Sequence, residues 1–285
     1  MVDSWCAVHL GEYHKISPGR CAEGEGVKKD WAPALQSAVD SGAEVIYFPK
    51  RDYEFLSPVT LGGKLKAILG MDSTFNTAGW KQGDAPVLKI VDNGQPVLLL
   101  DRINDNYGKA PVLYDLAANK TVILKNSLSG RFRNSVPGGK LFLYDVCGHG
   151  FDFKDMSVWA RQFNPEAHPR EPEAYNVRIS GGSFWALGLK TEYGQTVIHA
   201  RDGAQVEVLG GWHYHNGKVG YINENSRMSI AGLLTSNGHF AESLIREIKD
   251  GQTKDLSPPV GKNEKDAFNG TYRQYGTLLP LYIGY

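Results

Sequence analysis

Long hydrophobic runs are missing from this 285-residue chain. No stretch of about eighteen apolar residues occurs, so no segment is expected to cross a membrane as a helix. A charge surplus is missing too. Lys plus Arg number 31 and so do Asp plus Glu, which argues against general nucleic-acid binding, since that needs excess basic charge. Cysteine is scarce: Cys6, Cys21 and Cys147, with no Cys-x-x-Cys pair. A structural zinc site is therefore not expected. Cys6 and Cys21 could bridge, or all three could be separate thiols. No Gly-x-Ser-x-Gly elbow, phosphate-binding loop or dinucleotide fingerprint is spelled, which counts against an esterase, a nucleotide hydrolase or a dehydrogenase. The N-terminus MVDSWCAVHL lacks a basic region followed by an apolar stretch, so no signal peptide is visible in it.

What is present is repetition. FWALGLKTEYG, VEVLGGWHYHNG and MSIAGLLTSNG align, with Gly188, Gly210 and Gly232 in register at spacings of 22 and 22 residues. VWARQFNPE aligns in front of them without gaps. TVILKNSLSG and KLFLYDVCGHG look like earlier copies. Short alternating apolar stretches bounded by Gly, Asn and Asp continue back to EVIYFP (44–49) and KLKAILG (64–70). A strand-rich repeat of about twenty residues indicates a solenoid. The leucine-rich-repeat spelling is absent, and a propeller needs repeats of about forty residues. A parallel β-helix remains, its coils stacked at about 4.8 Å.

Only one strong helix is written. In KKDWAPALQSAVDSGAE, Asp30 is placed to cap, Pro33 suits the first turn, and Ala34, Leu35, Ala38 and Val39 form the apolar face. Gly42 stops it. Such a helix before the first strand would cover the open end of the stack. The stretch DWAPALQSAVDSGAEVIYFPKRDYEF resembles the N-terminal signature of the pectate-lyase-like superfamily of right-handed parallel β-helices. SPGRCAEGEG stands where that signature has a Gly-Asp-Gly turn, and Lys50, Arg51 and Asp52 replace its Pro-x-Gly before Tyr53. The likeness is nearest to bacterial proteins like glycoside hydrolase family 55. It implies a β-helix and a carbohydrate-active role at a secreted or cell-surface location. Enzymes of that branch usually carry two β-helices, so a second β-helix domain outside this chain is an expected partner.

The expected fold is all-β, a single-stranded right-handed parallel β-helix with an N-terminal α-helical cap. Residues 1–43 form the N-terminal segment and cap, and 44–240 the β-helix. Residues 241–285 form a C-terminal loop and tail packed on it. Within that tail REIKDGQTKDLSPPVGKNEKD reads as a charged loop, and YGTLLPLYIGY as a cover for the last coil.

The chemistry is sought in a repeated spelling. Trp159-Ala160 and Trp185-Ala186 are each followed by five residues and a glutamate, Glu166 and Glu192. Equal spelling on neighbouring coils stacks equal positions. Glu166 and Glu192 are thus expected about 5 Å apart, a separation that suits a retaining glycosidase and lets one carboxyl stay protonated while the other ionises. They are the candidate catalytic pair. Arg161, Lys190, His213 and Tyr214 are expected beside them to orient a polysaccharide or oligosaccharide, with Trp212 stacking on a sugar face. Lys190, His213 or Tyr214 could instead serve as base, and Arg161 or Arg178 as carboxylate partner, in a uronate lyase. The competing reading is a salt-bridged side-chain ladder in a non-catalytic binding or structural module. The insert PEAHPREPEA could wall a groove. No cofactor is required. His213 and His215 could pair on a metal but lack a third ligand. Asp145, Asp152 and Asp155 crowd a turn that could take calcium, or simply follow turn chemistry.

Overall fold

Apolar residues alternate with polar ones in short strands, and the chain coils so that each apolar face turns inward. The computed structural model describes residues 8–9, 30–105, 110, 112–129, 131–166, 175–192, 196–214, 218–236, 242–256 and 277–285. Cys6, Cys21, His215 and the segment 167–174 of the expected groove-walling insert lie outside the described residues. The fold is a mostly-β parallel solenoid with one short helix near the N-terminus. Two units, Met1–Phe142 and Leu143–Tyr285, divide it.

In the first unit the helix Ala32–Asp40 buries Ala32, Leu35, Ala38 and Val39. Its N-cap is Trp31 rather than Asp30. Asp30 stands one residue earlier and accepts from the Ala32 amide at 3.0 Å, the Leu56 amide at 2.9 Å and the Ser57 hydroxyl at 2.5 Å. It thereby ties the helix start to the chain that follows Tyr53. The strand Val59–Leu61 ends one sheet, whose next members are Leu88–Ile90, Tyr114–Leu116 and Phe132–Asn134, all parallel. An edge strand exposes unpaired backbone groups. Here Gln36 of the helix supplies partners: its Oε1 accepts from Thr60 N at 2.8 Å and its Nε2 donates to Thr60 O at 3.3 Å. Below the helix, Trp31, Phe48, Tyr53, Phe55 and Phe75 pack edge-to-face or tilted, with ring centroids 4.5–6.4 Å apart. The opposite sheet runs through Val45–Tyr47, Ala67–Asn76, Val97–Asp105 and Thr121–Ser129 in parallel, with Val8–His9 antiparallel at its start.

In the second unit the long-strand sheet orders Ser157–Pro165, Ser183–Glu192, Gln205–Tyr214 and Arg227–Ser236 in parallel register. The strand Thr277–Gly284 then adds antiparallel to Arg227–Ser236 and covers that edge. The short-strand sheet runs through Phe151–Lys154, Tyr175–Ser180, Thr196–Arg201, Val219–Glu224 and Ser243–Lys249. Gln252–Leu256 closes it antiparallel. The charged stretch read as a loop is therefore a hairpin up to Leu256, and Arg246 bonds Asp255 across it and Glu242 on its own side. Charge did not prevent pairing, because opposite signs face each other. The interior is filled by Phe151, Phe153, Phe163 and Phe184, all essentially inaccessible.

The aligned glycines mark a bend. Gly188, Gly210 and Gly232 have φ of +76°, +73° and +68°. The extra left-handed residue shifts the inside–outside alternation by one. Phe184 and Ala186 are buried before it, Leu189 and Thr191 after it. Gln162 and Asp145 hold the same left-handed region at φ +49° and +52°, as do Asn126 and Arg102 in the first unit at +52° and +54°.

Candidate functional site on the outer face of residues 143–285

Strict register turns the outward positions of the long-strand sheet into ladders. One ladder, before the bend, runs Trp159, Trp185, Glu207, Ser229 and Ile283. Trp159 is 36% exposed. Together with Gln205, Arg227 and Tyr285 these residues line a groove of about 500 Å³. Glu207 and Arg227 both point into it, and neither has an ion pair or side-chain hydrogen bond among the described residues.

A second patch lies after the bend. Asn164, Lys190 and Trp212 line a shallower groove of about 510 Å³, with Asp145, Gln162 and the glycines Gly188 and Gly211. The expected glutamate pair is beside it. Lys190 Nζ stands 2.8 Å from Glu166 Oε1 and 2.6 Å from Glu192 Oε1. Asn164 Nδ2 donates to Glu166 Oε1 at 2.9 Å and contacts Cys147 Sγ at 3.3 Å. Burial pulls the Lys190 ammonium down, but hydrogen bonds from it to Glu166 and Glu192 outweigh that and raise its pKa. Burial, then the Glu166 charge, pushes the Cys147 thiol up to about 11, so it stays a thiol at neutral pH. The corner behind the glutamates is fixed from inside. The Thr191 hydroxyl donates to Pro165 O at 2.5 Å, and Asn176 Nδ2 reaches Pro165 O at 2.9 Å and Thr191 Oγ1 at 2.5 Å.

The expected site residues therefore separate. Glu166, Lys190 and Glu192 form one cluster, with Trp212 beside Lys190 on the groove. Arg161 is exposed, and the cation that meets both glutamates is Lys190 instead. Tyr214 pairs with Glu192 in backbone register, and its side chain lies outside what is described. His213 is a correction. It is fully buried and its Nε2 lies 3.0 Å from the Tyr221 hydroxyl, so it cannot touch a substrate. The pleat decides this: Lys190 pairs with Trp212 and Glu192 with Tyr214, which leaves Thr191 and His213 pointing inward.

The three aspartates are not gathered. Asp152 is held by Arg178 in a two-pronged ion pair, with Arg178 Nε donating to Asp152 Oδ1 at 3.0 Å. Asp145 and Asp155 occupy left-handed turn positions. Among the described residues no three His, Cys, Asp or Glu side chains converge as metal ligands would.

The Trp159–Trp185–Glu207 ladder is not among the residues expected from the sequence as a site, although both tryptophans belong to the repeated spelling. The signal was available: the outward position just before the buried Val208 is Trp in two coils and Glu in the next. No family model, curated protein or solved structure matches this chain.

Proposed function

We propose that the outer face of the long-strand sheet in residues 143–285 is a carbohydrate-binding surface. The observation that carries this reading is the pair Trp159 and Trp185, in register one coil apart, on a groove that also holds Glu207 and Arg227 without other partners. Sugar rings present apolar faces to stack on indoles, and hydroxyls that both donate to a carboxylate and accept from a guanidinium. The rung spacing of about 4.8 Å offers repeated contacts to a repeating chain.

Cleavage is the second reading, favoured by the convergence of Glu166 and Glu192 at one point. The resting geometry works against a glycosidase acid. Lys190 Nζ lies within hydrogen-bond distance of both carboxylates and stands where a scissile glycosidic oxygen would have to enter between them. Hydrolysis would require an incoming sugar to displace Lys190.

Affinity electrophoresis against a polysaccharide panel, combined with assays for new reducing ends and for unsaturated uronides, tests both readings. Retardation that is lost in Trp185→Ala, with no new ends, is the expected result. No retardation on any polymer by folded protein would sink the surface reading. New ends that vanish in Glu166→Gln or Glu192→Gln would replace binding by hydrolysis.

A further inference from the structure

A second cavity, of about 530 Å³, adjoins the tryptophan groove. It lies where the coil turns from the short-strand to the long-strand sheet, lined by Asn223, Asn225, Arg227, Glu247, Lys249 and Tyr285, among others. Gln205, Arg227 and Tyr285 line both cavities. Arg227 thus stands on the ridge between them.

The charges in this cavity are unequal. Arg227 and Lys249 are exposed, and neither has an ion pair or a side-chain hydrogen bond among the described residues. The one carboxylate in the lining, Glu247, is already engaged: the Tyr282 hydroxyl donates to its Oε1 at 2.7 Å. That same hydroxyl accepts from Asn223 Nδ2 at 3.2 Å, so the wall is tied together from behind. Gly284 makes this packing feasible, because a Cβ there would lie 2.0 Å from the Tyr282 hydroxyl oxygen. Two cations without partners among the described residues outnumber the one carboxylate side chain of the lining, whose Oε1 is taken by Tyr282, and that excess suits an anion. Because Arg227 also faces the tryptophans, an anion held there is within reach of a sugar stacked on Trp185.

Resting on the carbohydrate-surface reading above, we infer that the Arg227–Lys249 cavity takes an anionic substituent, carboxylate or sulfate, of the bound glycan. The ligand class is then an acidic polysaccharide. The sugar stacks before the bend and its anionic group turns over the Arg227 ridge into the second cavity.

The test compares three polymers of matched length on the full chain: a neutral glucan, a polyuronate and a sulfated glycan. Binding is measured at low and at raised salt, with thermal melting to verify folding. The two acidic arms tell carboxylate from sulfate. The expected result is acidic binding about tenfold tighter than neutral, the order of one partly exposed charge-assisted contact. That preference should shrink with salt. The double variant Arg227→Gln, Lys249→Gln should abolish the preference for the acidic polymers, and Lys249→Gln alone, at a residue that lines only the second cavity, should reduce that preference while leaving neutral binding within about twofold. Trp185→Ala should weaken all three polymers alike. Equal binding of neutral and acidic polymers, lost together in Trp185→Ala, would overturn the anion cavity and leave the tryptophan surface standing. An acidic preference that survives the double variant would overturn it as well. Absence of binding to all three polymers would overturn both.

Discussion

Glu166 and Glu192 stand after the left-handed bend of the long-strand sheet, and Glu207 stands before it. The first two share Lys190, at 2.8 and 2.6 Å. Glu207 has no such cation among the described residues and faces a groove with two tryptophans. In a solenoid, a residue repeated from coil to coil forms a ladder with its own copies, and like charges in a ladder need a counter-charge. The repeated glutamates have theirs supplied internally. The carboxylate that interrupts the tryptophan ladder does not, and so keeps its hydrogen-bonding capacity for a ligand. Repetition points to what holds the coils together, and the break in repetition points to what they offer outward.

The largest effect that would break this contrast is on binding. Trp159→Ala or Trp185→Ala should weaken polysaccharide binding by about tenfold to a hundredfold, ~1.4–2.7 kcal/mol. Glu166→Gln should leave binding within about twofold. The reverse order, measured by affinity electrophoresis with both variants folded, would move the site to the glutamate cluster.

Next is the bend that separates the two patches. Gly210 is left-handed at φ +73°, and a Cβ there meets nothing within 4 Å. Gly210→Ala should therefore cost only the conformational penalty, roughly 1–2 kcal/mol. Urea denaturation reads this directly. A much larger loss would mean that the bend is packed against something, which would change the account of the face as open.

Lys190→Met sharpens the contrast from the other side. It leaves two carboxylates facing each other with no cation between them. The groups are partly exposed, so the cost is about 1 kcal/mol at neutral pH. The sign is fixed by linkage. Repulsion raises the proton affinity of one glutamate, so its penalty is present at neutral pH and fades as acid protonates it. In the parent protein the raised Lys190 pKa makes the pairing contribute below the ordinary lysine value of 10.5, and that contribution is lost only as pH climbs past the raised value. Unfolding curves of parent and variant should converge toward pH 4. A gap that widens on acidification would rule out carboxylate repulsion as its source.

Much of the fold was legible because solenoids write their period openly. Gly188, Gly210 and Gly232 align by eye and fall at one bend. Asp145 and Gln162 hold the same bend without spelling glycine, so the pattern fades upstream even though the backbone does not change. The site was less legible. Alignment placed Glu166 beside Glu192 but could not show that Lys190, one of several cations in reach, lies between them. His213 was put on the wrong side because neighbouring residues were gathered into one patch, whereas strand alternation turns Trp212 out and His213 in. The Arg227 ridge was invisible, since it depends on a turn, a neighbouring coil and the returning strand Thr277–Gly284 meeting in space.

The smallest expected effect lies away from both patches, on the short-strand sheet, and so serves as their internal reference. His199 is only 8% exposed, with Nε2 2.8 Å from Glu224 Oε2 and its ring 5.1 Å from that of Tyr175. Burial lowers its pKa; the hydrogen bond to Glu224 opposes this without overcoming it, and Arg201 and Arg178 add to the lowering. A depressed folded-state value means that the unfolded chain binds the proton more readily. The stability from keeping His199 neutral is therefore complete above the ordinary value of 6.5 and is lost as pH falls through the lower folded value. Thermal unfolding should shift down modestly between pH 7 and pH 5, and His199→Gln should flatten that slope without altering polysaccharide binding at pH 7. If acidification raised stability instead, and His199→Gln removed the rise, the Glu224 carboxylate would outweigh burial. The short-strand sheet would then carry a charged histidine–glutamate pair, a partnered ladder like the one Lys190 makes on the long strands.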